Sequence, residues 1–334
     1  MSKKKIPIRF DQQKLILILL IIMFIGFGVV KPKFFSARSL DNIMRSFSMY
    51  GIAALGMTLV ILTGGTDLSA GSNMALAGVV GAGLLGKAFS AANPISLPFP
   101  LTVASALLVC GLIGLLNGWC ISNLHMAPFV ATLATMSISR GLVYVVADSV
   151  VQGVSGSPIT FMNDGYTMLG MGSLFGLPFQ FILFLFLFIV LFVLLKHTRL
   201  GRAVYTVGGN QEVARLAGMR PNRILLFAYA CSGMLAGLSG LVLVGKLSSA
   251  STVAAQGYEL DLITAVALGG TSMKGGKGGV IGTMIGTCFL AVMNNGMDMI
   301  NIPSFYQYLI KGIVLVLAVY IDTFFQKYAT KKTK

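Results

Sequence analysis

Charge is scarce in this sequence. Only 10% of its 334 residues are Asp, Glu, Lys or Arg, whereas a soluble domain carries about 25%. A surface so poor in charge could not be kept in water. Acids are scarcer than bases, 10 against 25, which leaves a formal net charge of +15. In a soluble protein that excess would point to nucleic acid. Here the lysines and arginines fall in loops and tails between apolar runs, the pattern that orients a membrane protein, so no nucleic-acid partner is expected. Histidine is nearly absent: His125 and His197 stand at the ends of apolar runs with no acid near in sequence, which argues against a metal or general-base role. The four cysteines lie inside apolar runs without CxxC spacing and read as small fillers, not as disulfides or metal ligands.

Phosphate-binding motifs are lacking too. Gly81-Ala-Gly-Leu-Leu-Gly86 fits GxGxxG but sits inside an apolar run, not after a strand. Thr271–Gly278 (TSMKGGKG) lacks the first P-loop glycine and the Ser/Thr after the lysine. With no nucleophile–base pair and no metal cluster, the chain is expected to be no enzyme and to hold no cofactor. If ATP drives it, ATP and Mg are bound by another chain.

What the sequence does have is length in apolar runs: 56% of residues are hydrophobic, and glycines number 40. Small residues let helices approach closely in lipid. A bilayer takes about 20 apolar residues per helix. Clear runs are Leu15–Val30, Leu101–Ile121, Phe179–Leu195, Ile224–Val244 and Phe305–Ile321; less uniform ones are Phe47–Thr63, Met74–Phe89, Phe129–Ala147, Leu260–Leu268 and Val280–Met293. The expected fold is an all-α polytopic membrane protein, one membrane domain over residues 1–334, with about ten spans, some short or broken. Leu260–Leu268 must borrow residues from Ser248–Glu259 or be discontinuous. The start, MSKKKIPIRFDQQK followed by an apolar run, resembles a signal peptide but shows no small-residue cleavage site, so it is read as an uncleaved first span.

An even count puts both termini on one side. That side gathers the tail 1–14 with Lys3, Lys4, Lys5, Arg9 and Lys14, the loop 196–223 with Lys196, Arg199, Arg202, Arg215, Arg220 and Arg223, and the tail 322–334. It also receives Lys274 and Lys277. Most acids, including Asp41, Asp148, Asp164, Glu259, Asp261 and Asp298, fall on the other side. The bias predicts cytoplasmic termini. A repeat accompanies it: Gly64-Gly-Thr-Asp-Leu-Ser-Ala-Gly71 matches Gly269-Gly-Thr-Ser-Met-Lys-Gly-Gly276 at an offset of 205. Six spans separate the copies, which predicts a parallel repeat, as some transporters have.

The loop 196–223 predicts a short helix. Asn210 suits the N-cap, Gln211 and Glu212 the first turn, and Gly218 the C′ position. About seven residues are too few to be stable alone in water, and this helix would show Val213, Leu216 and Ala217 beside Arg215. Two readings stay open: a groove on a partner, or the bilayer surface. Asp67, between Gly64-Gly65 and Ser69-Ala70-Gly71-Ser72, would be costly at mid-bilayer. It is expected at a helix break, capping a helix that begins near Met74, with a substrate or partner contact as the alternative. Arg140, deep in an apolar run, faces the bundle interior or snorkels; Asp148 is too far along the helix to pair with it.

These segments resemble a known family. GGNQEVARLAGM in the 196–223 loop is similar to the coupling region of ABC permeases of the bacterial ribose, xylose and galactoside group. LGMTLVILTGGTDLSAGS, PFVATLATMSISRGLVYV and GYELDLITAVALGGTSMKGGKGGVIGT resemble three further signatures, in the family's order, over roughly residues 40 to 322. Thr66 departs from the aliphatic residue expected before the aspartate.

The resemblance implies a cell-membrane permease that forms the pathway for a ribose-like sugar. A secreted binding protein would deliver the sugar outside. A second permease chain, identical or not, would complete a dimer. Two ATPase domains, fused in one polypeptide, would dock on the coupling helices through Asn210, Glu212, Val213, Arg215, Leu216 and Gly218. It also makes Gly64, Gly65, Asp67, Ser69, Gly71, Gly269 and Gly270 the signature of the helix breaks. A sugar path should be lined by hydroxyls, amides and aromatics; Asn117, Ser137, Tyr144, Asn294, Asn295, Tyr306 and Gln307 qualify, with interhelical hydrogen bonding the alternative for each. Gly257–Asp261 and the loop Ala147–Leu177 could meet the binding protein. The competing readings are a branched-chain amino-acid ABC permease, a secondary transporter without an ATPase and, more distantly, a membrane enzyme.

Overall fold

The structure, a computed structural model, describes residues 12–85, 97–150, 158–160 and 163–331, with side chains through Ile321. In chain order its helices are α1 (Gln12–Val30), α2 (Ala37–Leu62), α3 (Ala70–Leu84), α4 (Phe99–Asn123), α5 (Pro128–Val150), α6 (Asp164–Gly170) and α7 (Phe179–His197). Then follow α8 (Arg199–Gly209), α9 (Gln211–Leu216), α10 (Pro221–Leu247), α11 (Tyr258–Leu268), α12 (Val280–Met299) and α13 (Ser304–Lys331). The only extended pieces among the described residues are two-residue strands: Ile159–Thr160 pairs with Ser249–Ala250, and Ser173–Leu174 with Leu177–Pro178. The protein is all-α and polytopic.

Each of the ten apolar segments forms a helix, but among the described residues only eight helices are long and apolar enough to cross a bilayer. The exceptions are α3, of 15 residues, and α11, of 11. Helix α11 takes only Tyr258 and Glu259 from Ser248–Glu259 and is otherwise discontinuous: the chain leaves α10 through Ser248 in the left-handed region (φ 51°), pairs as strand at Ser249–Ala250, and re-enters helix only after Gly257 (φ 82°). Residues 86–89 of the third segment, and 1–11 of the N-terminal tail, lie outside the described residues.

Several boundaries differ from those expected. Helix α2 starts ten residues before Phe47, where the sequence is polar. Ser36 caps it by accepting from the Ser39 N–H. The Asp41–Arg45 pair (2.7 Å) then carries charge through the first turns, with Arg45 also donating to the Gly170 carbonyl. Arg45 is therefore buried inside the bundle, not in a loop. Helix α3 begins at Ala70, not near Met74, because the turn at Asp67–Ser69 already directs the chain into helix. Within the expected loop Ala147–Leu177, α5 runs on to Val150 and α6 and a small hairpin lie further along, while residues 151–157 and 161–162 lie outside the described residues. The 322–334 tail keeps helical backbone through Lys331.

Burial sorts the helices. Helix α2 is buried throughout from Phe47 to Leu62, whereas α1 and α13 show apolar side chains over most of their length. Helices α10 and α4 approach so closely that a Cβ on Gly114 would stand 2.2 Å from the Tyr229 carbonyl oxygen, and one on Gly233 2.2 Å from that of Cys110. Glycine at these contacts lets dispersion and backbone packing do what the hydrophobic effect cannot do in lipid. The GxGxxG segment serves the same end: a Cβ on Gly81 would meet Tyr166, and one on Gly83 would meet Val150.

The repeat is visible in the fold. Helices α4 and α13 begin at residues 99 and 304, the offset of 205 read in the sequence. Helices α2 and α11 end in the same Schellman turn, with Gly65 N–H donating to the Val60 carbonyl and Thr271 N–H to that of Val266, each at 3.2 Å. The left-handed residues are Gly64 (φ 86°) and Gly270 (φ 83°). At the turns the offset is therefore 206, one residue more than the sequence match.

Candidate functional site

Three regions carry the residues of interest. The first is a buried polar network at the break between α2 and α3. The Asp67 carboxylate accepts from the Ser69 N–H (3.0 Å), the Ser69 hydroxyl (2.6 Å) and the Ser232 hydroxyl of α10 (2.7 Å). Ser69 Oγ in turn accepts from the amides of Asn73 and Asn117. Asn117 Oδ1 accepts from Thr135, and Asn73 Oδ1 from Ser139. Helices α3, α4, α5 and α10 are thus joined by side chains almost wholly withdrawn from solvent. The carboxylate stabilises the entry to α3 as expected, but through Ser69 N–H in an Asx turn; Ser69 itself holds the N-cap place without a side-chain cap bond. Asn117 belongs to this network and not to a cavity wall.

The second region lies at one end of the bundle. Thr198 caps α8, a helix within the 196–223 loop; it accepts from Gly201 N–H and lets Ala203, Val204 and Val207 face inward. Its far end wedges between the two glycine turns. Gly276 N–H donates to the Leu62 carbonyl (2.9 Å), and the Tyr205 hydroxyl to that of Gly278 (3.0 Å). A Cβ on Gly208 would stand 1.7 Å from Leu62 O. Gln12 reaches the same place from α1, donating to the Ala267 carbonyl at 3.0 Å.

Helix α9 follows at once. Asn210 Oδ1 accepts from the N–H groups of Glu212 (2.9 Å) and Val213 (3.1 Å). Gly218 (φ 76°) closes the helix, with Met219 N–H donating to the Ala214 carbonyl. Both ends stand as the residue types require. Glu212 and Arg215 form an exposed pair at 3.3 Å. Ala214 is buried, but Val213 is 54% exposed and Leu216 88%.

The third region is a cavity of about 370 Å³ near the other end of the bundle. Helices α2, α10 and α12 link the two ends. The cavity is lined by Tyr50 of α2, Lys246 of α10, and Asn294 and Asp298 of α12, with Gln307 and Lys311 of α13. Helix α2 covers about 39 Å at 1.5 Å per residue, so Tyr50 stands well over a turn from the Leu62 end. The rings of Tyr50 and Tyr258 meet at 5.0 Å. Gln307 donates to Asp298 (2.8 Å), and Lys311 pairs with Asp261 (2.7 Å). Among the described residues, Asn294 Oδ1 is buried without a hydrogen-bond partner.

Of the residues expected along a sugar path, Asn294 and Gln307 share this cavity. Asn295 instead donates to Ser39 at 2.9 Å. Ser137 and Tyr144 lie on the exposed face of α5, and Tyr306 is exposed on α13, its ring 4.6 Å from that of Phe305. Arg140 finds a partner in backbone: it donates to the carbonyls of Thr252 (2.7 Å) and Ala254 (3.1 Å). Nothing in sequence spacing marks two loop carbonyls more than a hundred residues away.

Comparison with known proteins gives this arrangement a family. The family model described as branched-chain amino acid transport system / permease component matches residues 39–319. The chain belongs to that family of permease components. Among curated relatives, it is 39% identical to the ribose import permease protein RbsC of Bacillus subtilis (strain 168) over 305 residues, 91% of this chain and 90% of that protein. It is likewise 39% identical to the RbsC protein of Escherichia coli (strain K12), covering 93% of each. The galactose/methyl galactoside import permease protein MglC of the same strain is 36% identical over 310 residues, 90% of each chain. No solved structure matches. These three relatives are sugar import permeases, although the family description names amino acids.

Proposed function

We propose that this permease forms the membrane pathway of an ATP-driven, binding-protein-dependent importer for a monosaccharide of the ribose or galactoside kind. The relatives support the cargo: full-length similarity at 36–39% identity runs to ribose and galactoside permeases. The observation that carries the ATP-driven mechanism is α9. It is a capped helix of six residues that leaves Leu216 88% exposed at the end of the bundle where positive charge collects. Such an apolar tip is stabilised by burial in a partner's groove. A separate ATPase chain, with its two domains fused, supplies that groove and binds ATP and Mg; the permease itself catalyses nothing.

By charge, the end with α8 and α9 is cytoplasmic and both termini lie there, in a bacterial cell membrane. The polar cavity then opens toward the outer side, where the sugar is delivered by its binding protein, and a second permease chain completes the pathway. The test is reconstitution with the binding protein and ATPase: labelled ribose or galactose should enter vesicles only with ATP. Single cysteines at Gln211 and Asn163 should label from the cytoplasmic and outer sides respectively. ATP-independent uptake, or Gln211 labelling from outside, would overturn this reading.

A further inference from the structure

A second cavity, of about 380 Å³, lies at the α8 end of the bundle and shares no lining residue with the polar cavity. Its polar rim is Gln13 of α1, Lys196 in the last turn of α7, and Tyr205 of α8. Its apolar wall is Phe192, Leu195 and Ile281. The Lys196 ammonium rests 5.1 Å from the centroid of the Phe192 ring, where the cation–π attraction and the snorkelling stem hold it at the rim. Among the described residues it has no ion-pair partner.

The charge around this groove is one-sided. The sequence has no Asp or Glu from residue 12 to 40, from 165 to 211, or from 262 to 297, the three stretches that build it. At this end of the bundle those stretches carry Lys14, Lys196, Arg199, Arg202, Lys274 and Lys277, of which Lys196 alone lines the groove. Among the described residues of these stretches no carboxylate answers them. The apolar wall continues onto a lipid-facing stripe. Ile189 and Val193, three to seven residues before Lys196 on the same helix face, are 51% and 46% exposed, as is Ile281 at 46%.

We propose that this groove binds an anionic phospholipid, its phosphodiester against the Lys196 ammonium and the Gln13 amide, and an acyl chain along Phe192 and Ile281. The occupant needs a negative head and an apolar tail in one molecule. A zwitterionic lipid lacks the net charge, and a free anion lacks the tail. Basic pockets between membrane helices on the cytoplasmic side take such headgroups. The site has a consequence for coupling. Tyr205 already holds α8 to the loop before α12 through Gly278, so a headgroup lodged there braces the junction that precedes α9.

The test uses the purified full chain in detergent, delipidated and titrated with dioleoyl-phosphatidylglycerol or dioleoyl-phosphatidylcholine, with bound lipid counted by native mass spectrometry. Wild type should prefer the anionic lipid by at least about fivefold, the effect of one surface lysine on an anionic headgroup. Lys196→Gln should abolish the preference, Lys196→Arg should keep it, and Lys274→Gln, outside the groove, should leave it unchanged. Glycerol 3-phosphate at the same concentration should not displace the lipid. Equal binding of the two lipids, an unchanged preference in Lys196→Gln, its loss in Lys274→Gln, or displacement by glycerol 3-phosphate would each overturn the proposal. None of these outcomes depends on the cargo or on the ATPase.

Discussion

The backbone N–H of Gly276 donates to the carbonyl oxygen of Leu62 at 2.9 Å. This bond joins the end of α2, in one copy of the internal repeat, to the loop before α12, in the other. Gly208 of α8 packs into the same junction, so α8 rests on both halves of the molecule at once. Helix α2 then leads from this junction to Tyr50 in the polar cavity, and α10 leads from the end of α9 to Lys246 in the same cavity. A displacement of α9 has two rigid elements along which to reach the cavity.

Gly208→Ala tests the junction. The added Cβ would stand 1.7 Å from Leu62 O, a backbone atom that cannot rotate away. Overpacking of this kind costs about 1–3 kcal/mol, and should appear as a lowered thermal midpoint together with weakened coupling of ATP hydrolysis to uptake. Gly209→Ala, whose Cβ meets nothing within 4 Å, is the control and should behave as wild type. Equal behaviour of the two variants would remove the junction from the mechanism.

The Asp67 network predicts a graded series. Ser232→Ala removes one of three donors to a fully buried carboxylate, and hydrogen bonds to charged groups contribute about 1.5–3 kcal/mol. Asp67→Ala strands all three donors and should cost more, with poor accumulation in the membrane. Asp67→Asn keeps one acceptor for Ser69 and should fall between them. The measurement is the amount of folded protein extracted at rising temperature. A ranking with Asp67→Asn worse than Asp67→Ala would mean that the carboxylate does not act as an acceptor hub.

Much of this architecture is legible in the sequence because lipid imposes strong rules. Ten apolar runs become helices, and Asn210 and Gly218 end α9 because cap chemistry is local. What escaped is non-local or hidden by composition. Helix α8 is marked only by Thr198 and by inward Ala203, Val204 and Val207, a weak signal among glycines and arginines. The start of α2 was hidden because Asp41 and Arg45 look like loop residues until their mutual pairing and the Gly170 carbonyl are seen. Asn117 looks like a path-lining amide; that Ser69 and Thr135 use it depends on how α3, α4 and α5 pack. Arg140 is satisfied by carbonyls, which carry no sequence signature at all.

The Lys311–Asp261 pair borders the cavity with Asp261 6% exposed and Lys311 20%. Removing one partner of a buried pair leaves an uncompensated charge and costs about 3–5 kcal/mol. Lys311→Met should therefore destabilise strongly, and Asp261→Asn added to it should recover much of the loss. Thermal midpoints of the two single variants and the double variant give the coupling directly. Additive effects would show that the two charges do not depend on one another.

Helix α9 gives the decisive test of an ATP-driven importer. Val213→Asp with Leu216→Asp puts two carboxylates on its exposed apolar edge. Neither residue is buried in the permease, so the bundle should fold and insert as before, with an unchanged thermal midpoint. In a partner's groove the same carboxylates would be desolvated without counter-charges, which is strongly unfavourable. The double variant should still receive the binding protein, lose the ATPase chain in a detergent pull-down, and lose uptake in parallel. Asn210→Ala, which removes the cap from Glu212 and Val213 N–H, should weaken retention more mildly, in line with a cap contribution of about 0.5–2 kcal/mol. A secondary transporter has no ATPase to lose, and charges on an exposed loop would leave its uptake intact. Full uptake and full ATPase retention in the double variant would therefore overturn the role assigned to α9.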